Sequence, residues 1–488
     1  MNKATFSADA TAPGLLVAWR RAIARRAPWE GLWRDCFDHC LPGRPGQGAV
    51  PIYDGTGADA AEQLAASLLS ELTPPWGAWF GFVPAQPLPD GPEATQAAAA
   101  LDESARQLAH AMDRANFAVE MHQAFLDLVI AGTAVLQLEE NAPGEPALLR
   151  FAAVPLLEAA LEEGPSGRLD TVFRRQNLSA AELLARFPDA SLPKHLFDTA
   201  DAEPPLFTVV ERTMPDARGH LWQAVLDDPA GPPLLLAEGR FASSPYIAFR
   251  WLRAPGETYG RSPVMKALPD MRTANKVVEL TLKNASIAVA GIWQAEDEGV
   301  LNPANIRLVP GAIIPKAVGS AGLTPLGAPG KFDVSQLVLQ DLRARIRHAL
   351  LADRLGPVDG PAMTATEVLE RSAEMARLLG AVYGRLQTEL LTPLLLRGAA
   401  ILRRRGLIPP VHVPDGRSVA LAYRSPLAQV QARGDAANTL LWLEAAGRIG
   451  PASAAAIDVP AVLKSLAQVL GVPPGLLRAE TASPQSAA

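Results

Sequence analysis

The chain has 488 residues, 49% of them hydrophobic and 20% charged, with 44 Pro, 38 Gly and a formal net charge of −6. That length is too great for one ordinary core and predicts roughly two to four packed regions. The acidic balance argues against a general nucleic-acid binder, and no segment reaches the roughly 20 apolar residues that a bilayer span needs.

The opening MNKATFSADATAPG lacks the positive patch and apolar core of an export signal, so no export is expected. Pro13 to Leu41 reads as a helix interrupted at Pro28, with Arg20, Arg21, Arg25 and Arg26 forming a solvated basic stripe. Cys36 and Cys40 have no second ligand pair of matching spacing; they read as reduced, partly buried helix thiols in a reducing compartment. A turn-rich stretch, Pro42 to Pro51, leads to Asp54-Gly55-Thr56-Gly57 and an apolar helix over Ala58 to Leu72, which Thr73, Pro74, Pro75 and Trp76 stop. Trp79, Phe80 and Phe82 precede a Pro-rich linker, Pro84 to Pro92, and then one long helical segment, Ala94 to Ile130. Gly132-Thr133 closes that helix, and alternation begins at Ala134, Leu136 and Leu138.

From Glu145 to Arg250 strands and short helices mix. Arg168 to Gln176, Phe207 to Thr213, Leu221 to Leu226 and Tyr246 to Trp251 carry strand patterns, and Ser179 to Phe187 a short helix. The expected fold class is α+β with mainly antiparallel pairing. Ser262-Pro263 reads as an N-cap followed by Pro at the first helical position, opening a helix towards Ala290 that Pro269 should bend or delay. Its Val264, Leu268, Met271, Asn275, Val278 and Leu282 step by three and four, the seam of a helix packed lengthwise on another. Residues 291 to 333 turn β- and loop-like, and a second helix is expected from about Val334 to Leu355. Leu355 to Met363 cannot continue it, and Thr364 with Glu367 forms a capping box for a third helix, bent at Pro393 and ending at Arg403 to Arg405 before Gly406. Shorter helices over Leu427 to Ala446 and Pro460 to Leu470 and a polar tail complete the chain.

Catalytic signatures are scarce. There is no GxxxxGK[ST] loop, HExxH, CxxC or GxSxG, and the seven histidines are scattered. Asp54 and Asp59 among small residues could hold a divalent metal or offer a nucleophile, the chemistry of a metal-dependent hydrolase or nuclease. The favoured reading is a turn in which Asp54 caps the following helix while Gly55 and Gly57 supply unusual dihedrals. Glu139-Glu140 reads as a solvated strand end. In the second long helix, Arg343, Arg345, Arg347 and Arg354 stand against Asp341 and Asp353, with Arg343 and Arg347 on one face. One copy leaves such helices short of partner surface; side-by-side association would bury their seams and repeat each charge group around a ring.

Four stretches in order resemble the bacteriophage head-to-tail connecting protein family, the podovirus-type portals. The first is Asp54-Gly55-Thr56-Gly57 with the run to Thr73-Pro74-Pro75 and Trp79-Phe80. The closest is Arg250-Trp251, then Gly256 to Pro263 through Tyr259, Gly260 and Ser262, then Ala267 to Asp270. Met363 to Val368 (with Thr364 and Glu367) and Arg371 form the third, and Tyr423 to Ala428 (with Ser425 and Pro426) the fourth. The four stretches do not reach into the first 50 residues, and Val430-Gln431 departs from the usual Ala before Gln.

The resemblance implies a ring, usually of twelve subunits, at one capsid vertex, assembled in the host cytoplasm and carried in the virion. It implies a wing over 1–260, stem helices over 261–290 and 334–355, and a clip over 291–333. A tunnel loop over 356–363, a long wing helix and strand over 364–425, a crown over 426–478 and a disordered tail over 479–488 would follow. Double-stranded DNA would pass Arg343, Arg347, Arg354, Val358 and Asp359, with Gly356, Pro357, Gly360 and Pro361 shaping the loop. The implied partners are further copies of the chain, the terminase large subunit, a tail adaptor, and the major capsid and scaffolding proteins. No membrane, cofactor or enzymatic activity is implied.

Overall fold

The computed structural model describes residues 11–41, 51–75, 77, 79–84, 92–197, 205–290, 292–294, 324–326, 332–355, 380–408, 419–423 and scattered positions between 436 and 466. The expectations for the tunnel loop, the capping box at Thr364 and Glu367, Ser425-Pro426, the clip interior and most of the crown lie outside the described residues.

The first helix, α1 (Ala12–Cys40), is capped by Thr11, whose hydroxyl accepts the Gly14 N–H at 3.3 Å. Contrary to the expected interruption, it runs unbroken through Pro28. Packing on both sides of that proline holds the helix together despite the lost hydrogen bond. Before it, Leu15, Leu16, Trp19 and Ala22 pack on a sheet; after it, Trp33, Cys36, Phe37 and Cys40 enter the main core. Both thiols are buried and free, and burial pushes the Cys36 thiol up to about 12. The basic stripe is also revised. Arg26 is buried, and it donates to the carbonyls of Leu157 and Ala159 at 2.9 and 2.6 Å.

Helix α2 (Thr56–Leu72) ends where Thr73 begins the Pro-Pro stop. Strand β1 (Phe80–Pro84) follows, and the expected single helix over 94–130 is two, α3 (Pro92–Asp113) and α4 (Phe117–Ala131). The break has a tertiary cause: the Asn116 side chain pairs with the Phe151 backbone as a strand would, accepting its N–H at 2.9 Å and donating to its carbonyl at 2.8 Å.

Two antiparallel sheets form the α+β body. In the first, β3 (Leu149–Val154), β2 (Thr133–Glu140) and β9 (Tyr246–Arg250) lie in the order β3-β2-β9. The second holds β4 (Ala159–Glu163), β5 (Leu169–Ser179), β6 (Leu206–Asp216), β7 (Gly219–Asp227) and β8 (Leu234–Phe241) in sequence order. The strand periodicity of two explains its two cores. Phe173, Val210 and Val225 face α1, while Val209, Ala224 and Leu226 face α5 (Ala180–Arg186) and the turn at Lys194–Leu196. The sequence pattern had not marked β3, β4 or β8.

Helix α6 (Pro263–Ala290) begins as expected, with the Ser262 hydroxyl accepting the Met265 N–H at 2.8 Å, and it passes Pro269 unbroken. Short strands β10 (Ile292–Gln294) and β11 (Thr324–Leu326) pair after it. The expected second helix is split into α7 (Phe332–Ala349) and α8 (Ala352–Leu355), because Leu351 takes a left-handed conformation at φ 58°. Residues 380–386 are helical, a π-turn follows over Gln387–Leu391, and α9 (Thr392–Arg404) continues the rod. Strand β12 (Val419–Tyr423) pairs with β1. Among the described residues no helix is long and apolar enough to cross a membrane.

Candidate functional site

The stretch from Arg250 to Pro263 is where the sheets, α1, α4 and α6 meet. The Arg250 side chain is fully buried. Its Nη2 donates to Glu389 Oε1 at 2.7 Å and to the Gly167 carbonyl at 2.8 Å, while Nη1 donates to the Thr258 carbonyl at 3.1 Å. Glu389 also accepts the Arg250 backbone N–H at 3.0 Å, and it is the π-turn that carries this carboxylate. A buried charge so completely paired is structural: it locks the helical rod to β9.

Tyr259 lies edge-on to Trp33, ring centroids 4.9 Å apart, and its hydroxyl accepts the Leu161 N–H at 3.1 Å. The Gly260 N–H donates to Thr133 Oγ1 at 2.7 Å, and a methyl group at Gly260 would run into the carbonyl oxygen of Gly132. That close approach explains both glycines, with Gly132 also ending α4 at φ 77°. Ser262 adds a bond from its hydroxyl to the Ile130 carbonyl at 2.8 Å, and Pro263 is buried as the first residue of α6. The motif is a weld between elements.

A second junction forms around Asp54. Its Oδ2 accepts the Arg343 Nε–H at 2.8 Å, and its Oδ1 accepts the Thr56 N–H at 3.1 Å. Burial works against this carboxylate's charge, but the bonds from Thr56 and Arg343 outweigh it and hold the group below its ordinary value. Asn275 of α6 completes the junction: its Oδ1 accepts the N–H groups of Tyr53 and Asp54 at 2.6 and 3.2 Å, and its Nδ2 donates to the Pro51 carbonyl at 3.0 Å. The glycine expectation is corrected here. Gly55 has an ordinary φ of −83°, and Gly57 sits inside α2 because a methyl group there would strike Met271. Thr73 and Pro74 are buried at the far end of the same helix, with Pro75 half-buried.

The α6–α7 pair shows a gradient. Val264, Leu268 and Met271 on α6, and Leu342, Ile346 and Leu350 on the α7 side, are buried in the main core. Further out, Leu280, Leu282, Leu337 and Val338 are exposed, Leu337 at 69%. Arg345 pairs with Asp270 at 2.9 Å and Arg272 with Asp35, tying the root of the pair to itself and to α1. Arg347 is exposed and has no ion pair among the described residues. Arg354 lies in α8, and its side chain is outside the described set, as are Gly356, Pro357, Val358, Asp359, Gly360 and Pro361. Glu140 is no solvated strand end: Arg404 and Arg405 close on it, and their bonds outweigh burial to keep its carboxyl below the ordinary value.

Sequence reasoning missed Glu389, Asn275 and Glu140 as partners, since nothing local marks a carboxylate or amide whose mate is far along the chain. Among the described residues no group of three His, Cys, Asp or Glu could hold a metal ion.

The model of the bacteriophage head to tail connecting protein family matches residues 12–477. The chain belongs to that family. Among its relatives, the probable portal protein of Bordetella phage BPP-1 is 27% identical over 95% of this chain and 88% of the relative. The portal protein of Salmonella phage epsilon15 is 23% identical over 93% and 86% respectively. A solved chain of a native gene transfer agent virion aligns over 93% of this chain and 99% of its own length, with a TM-score of 0.40 and 13% identity.

Membership gives both junctions a setting. In this head-to-tail connector, Asp54 is spent on Arg343 and Thr56, and the hydrolase alternative built on Asp54 and Asp59 has no support.

Proposed function

We propose that the chain is a portal subunit, one copy of a ring at a single capsid vertex through which double-stranded DNA enters during packaging and leaves at ejection. The observation that carries this reading is the family match across 12–477, which embraces all four resembling stretches. The role is structural rather than enzymatic.

In this reading twelve copies close the ring in the virion, after assembly in the host cytoplasm. The terminase large subunit docks first and a tail adaptor later, with major capsid and scaffolding proteins around the rim. The sheets and α1 to α5 belong to the wing, α6 and α7 to the stem, and β10 with β11 to the clip between them. Residues 356–363 form the tunnel loop and 426–478 the crown.

Two features support the ring. The outer halves of α6 and α7 expose Leu280, Leu282, Leu337 and Val338, apolar positions that a neighbouring copy would cover. Net acidity suits a conduit, because strong phosphate neutralisation would make DNA stick. We assign Arg347, Arg354, Val358, Asp359 and the loop Gly356, Pro357, Gly360 and Pro361 to the channel side. Electron microscopy of the purified chain tests this directly. Closed rings with a hole that admits duplex DNA are expected; a uniform monomer at high concentration would end the reading.

A further inference from the structure

Arg343 lies on the arginine face of α7 that invites a DNA-binding reading, yet its best acceptor is inside its own subunit. Asp54 is nearly sealed from solvent, with a side chain 2% exposed against 39% for Arg343. Its remaining oxygen is satisfied by Thr56, so Arg343 is the one cation placed to balance the carboxylate among the described residues. Removing Arg343 would leave a desolvated anion, a much larger penalty than losing a surface pair.

The residues around the contact give it a mechanical meaning. Asp54 belongs to the short segment 51–57 wedged between α6 and α7. Asn275 of α6 binds that segment at three backbone positions, Pro51, Tyr53 and Asp54. Gly57 lets α2 press against Met271 of α6. Arg343 is the side chain through which α7 joins the same clasp, one position from the buried Leu342. Two turns beyond Arg343 the backbone turns left-handed at Leu351, and the segment assigned to the tunnel loop begins five residues later.

We infer that the Asp54–Arg343 contact is a latch fixing the root of α7 to α2 and α6, so that Arg343 is a positioning residue for the channel rather than a contact to DNA. The inference rests on the portal reading for its consequence, although the latch itself belongs to the single subunit. Arg347, one turn away and unpaired among the described residues, stays available to the channel.

The test uses the full chain with D54N, R343Q, the double variant, and the swap D54R/R343D. D54N is nearly isosteric and R343Q removes a half-exposed side chain, so both should fold. Hydrogen exchange is read over 340–350 and DNA packaging in a phage carrying each variant. R343Q should speed exchange there about tenfold, D54N by less, and the double variant by no more than R343Q alone, as expected for partners in one contact. Packaging should follow the same non-additive pattern, with the swap recovering part of both readouts. Unchanged exchange in R343Q would overturn the latch. Packaging losses that multiply in the double variant would overturn the positioning role and return Arg343 to DNA. Failure of the portal reading shows separately, as wild-type protein that forms no rings while the exchange pattern persists.

Discussion

Asp54 shows how far a single residue could be read without its partners. Its place at the start of a helix is legible, because the Asp-Gly-Thr-Gly run is local; its mate, 289 positions away, is not. The same holds for Arg250 and Glu389, 139 positions apart, whereas the short helix expected from Ser179 is capped by partners three residues apart, Ser179 and Glu182. The Asp54 contact carries a pH signature. A carboxylate whose native value is depressed stabilises the fold above its unfolded value near 4 and loses that contribution as pH falls through the native one. Asp54→Asn should therefore cost about 1–2 kcal/mol at neutral pH, and the gap to wild type should close below about pH 4. Thermal melts from pH 3 to 7 check this, and parallel curves across that range would contradict it. At the other junction, Glu389→Gln removes the nearer of the two carboxylates paired with the buried Arg250, leaving Glu163 at 3.5 Å, and should cost about 3 kcal/mol. Chemical denaturation measures that loss, and a change under 1 kcal/mol would show that Glu163, Gly167 and Thr258 suffice for Arg250.

At the scale of elements, periodicity located α2, α6 and the strands β5, β6, β7 and β9, because their apolar faces repeat on a regular step. It failed where a long-range contact overrides the local pattern. Asn116 separates α3 from α4 by pairing with β3, and Pro28 is carried by packing on both sides; separately, the left-handed backbone at Leu351 divides α7 from α8. At the Gly132–Gly260 approach backbone meets backbone, so Gly260→Ala has nowhere to place its methyl group. Overpacking of this kind should destabilise by about 2 kcal/mol or more, read as a lower melting temperature. The control is Gly55→Ala, where open space surrounds the added carbon and little change is expected. Equal effects at the two sites would contradict a steric role for Gly260.

For the whole molecule, the apolar gradient along α6 and α7 is the feature that a single chain does not explain. Their roots are buried and their outer turns present Leu280, Leu282, Leu337 and Val338 to solvent. Replacing Leu280 and Leu337 together by Lys should leave the subunit folded, since both are exposed, but prevent ring closure. Mass photometry reads that directly, and rings that persist unchanged would move the subunit contact elsewhere. The central claim, that duplex DNA passes through an assembly of this chain, is most directly tested with purified rings seated in an insulating aperture under an applied voltage. Double-stranded DNA added on one side should cause brief, length-dependent drops in ionic current that end with full recovery. An open-ring current indifferent to DNA, or blockades that never clear, would contradict it.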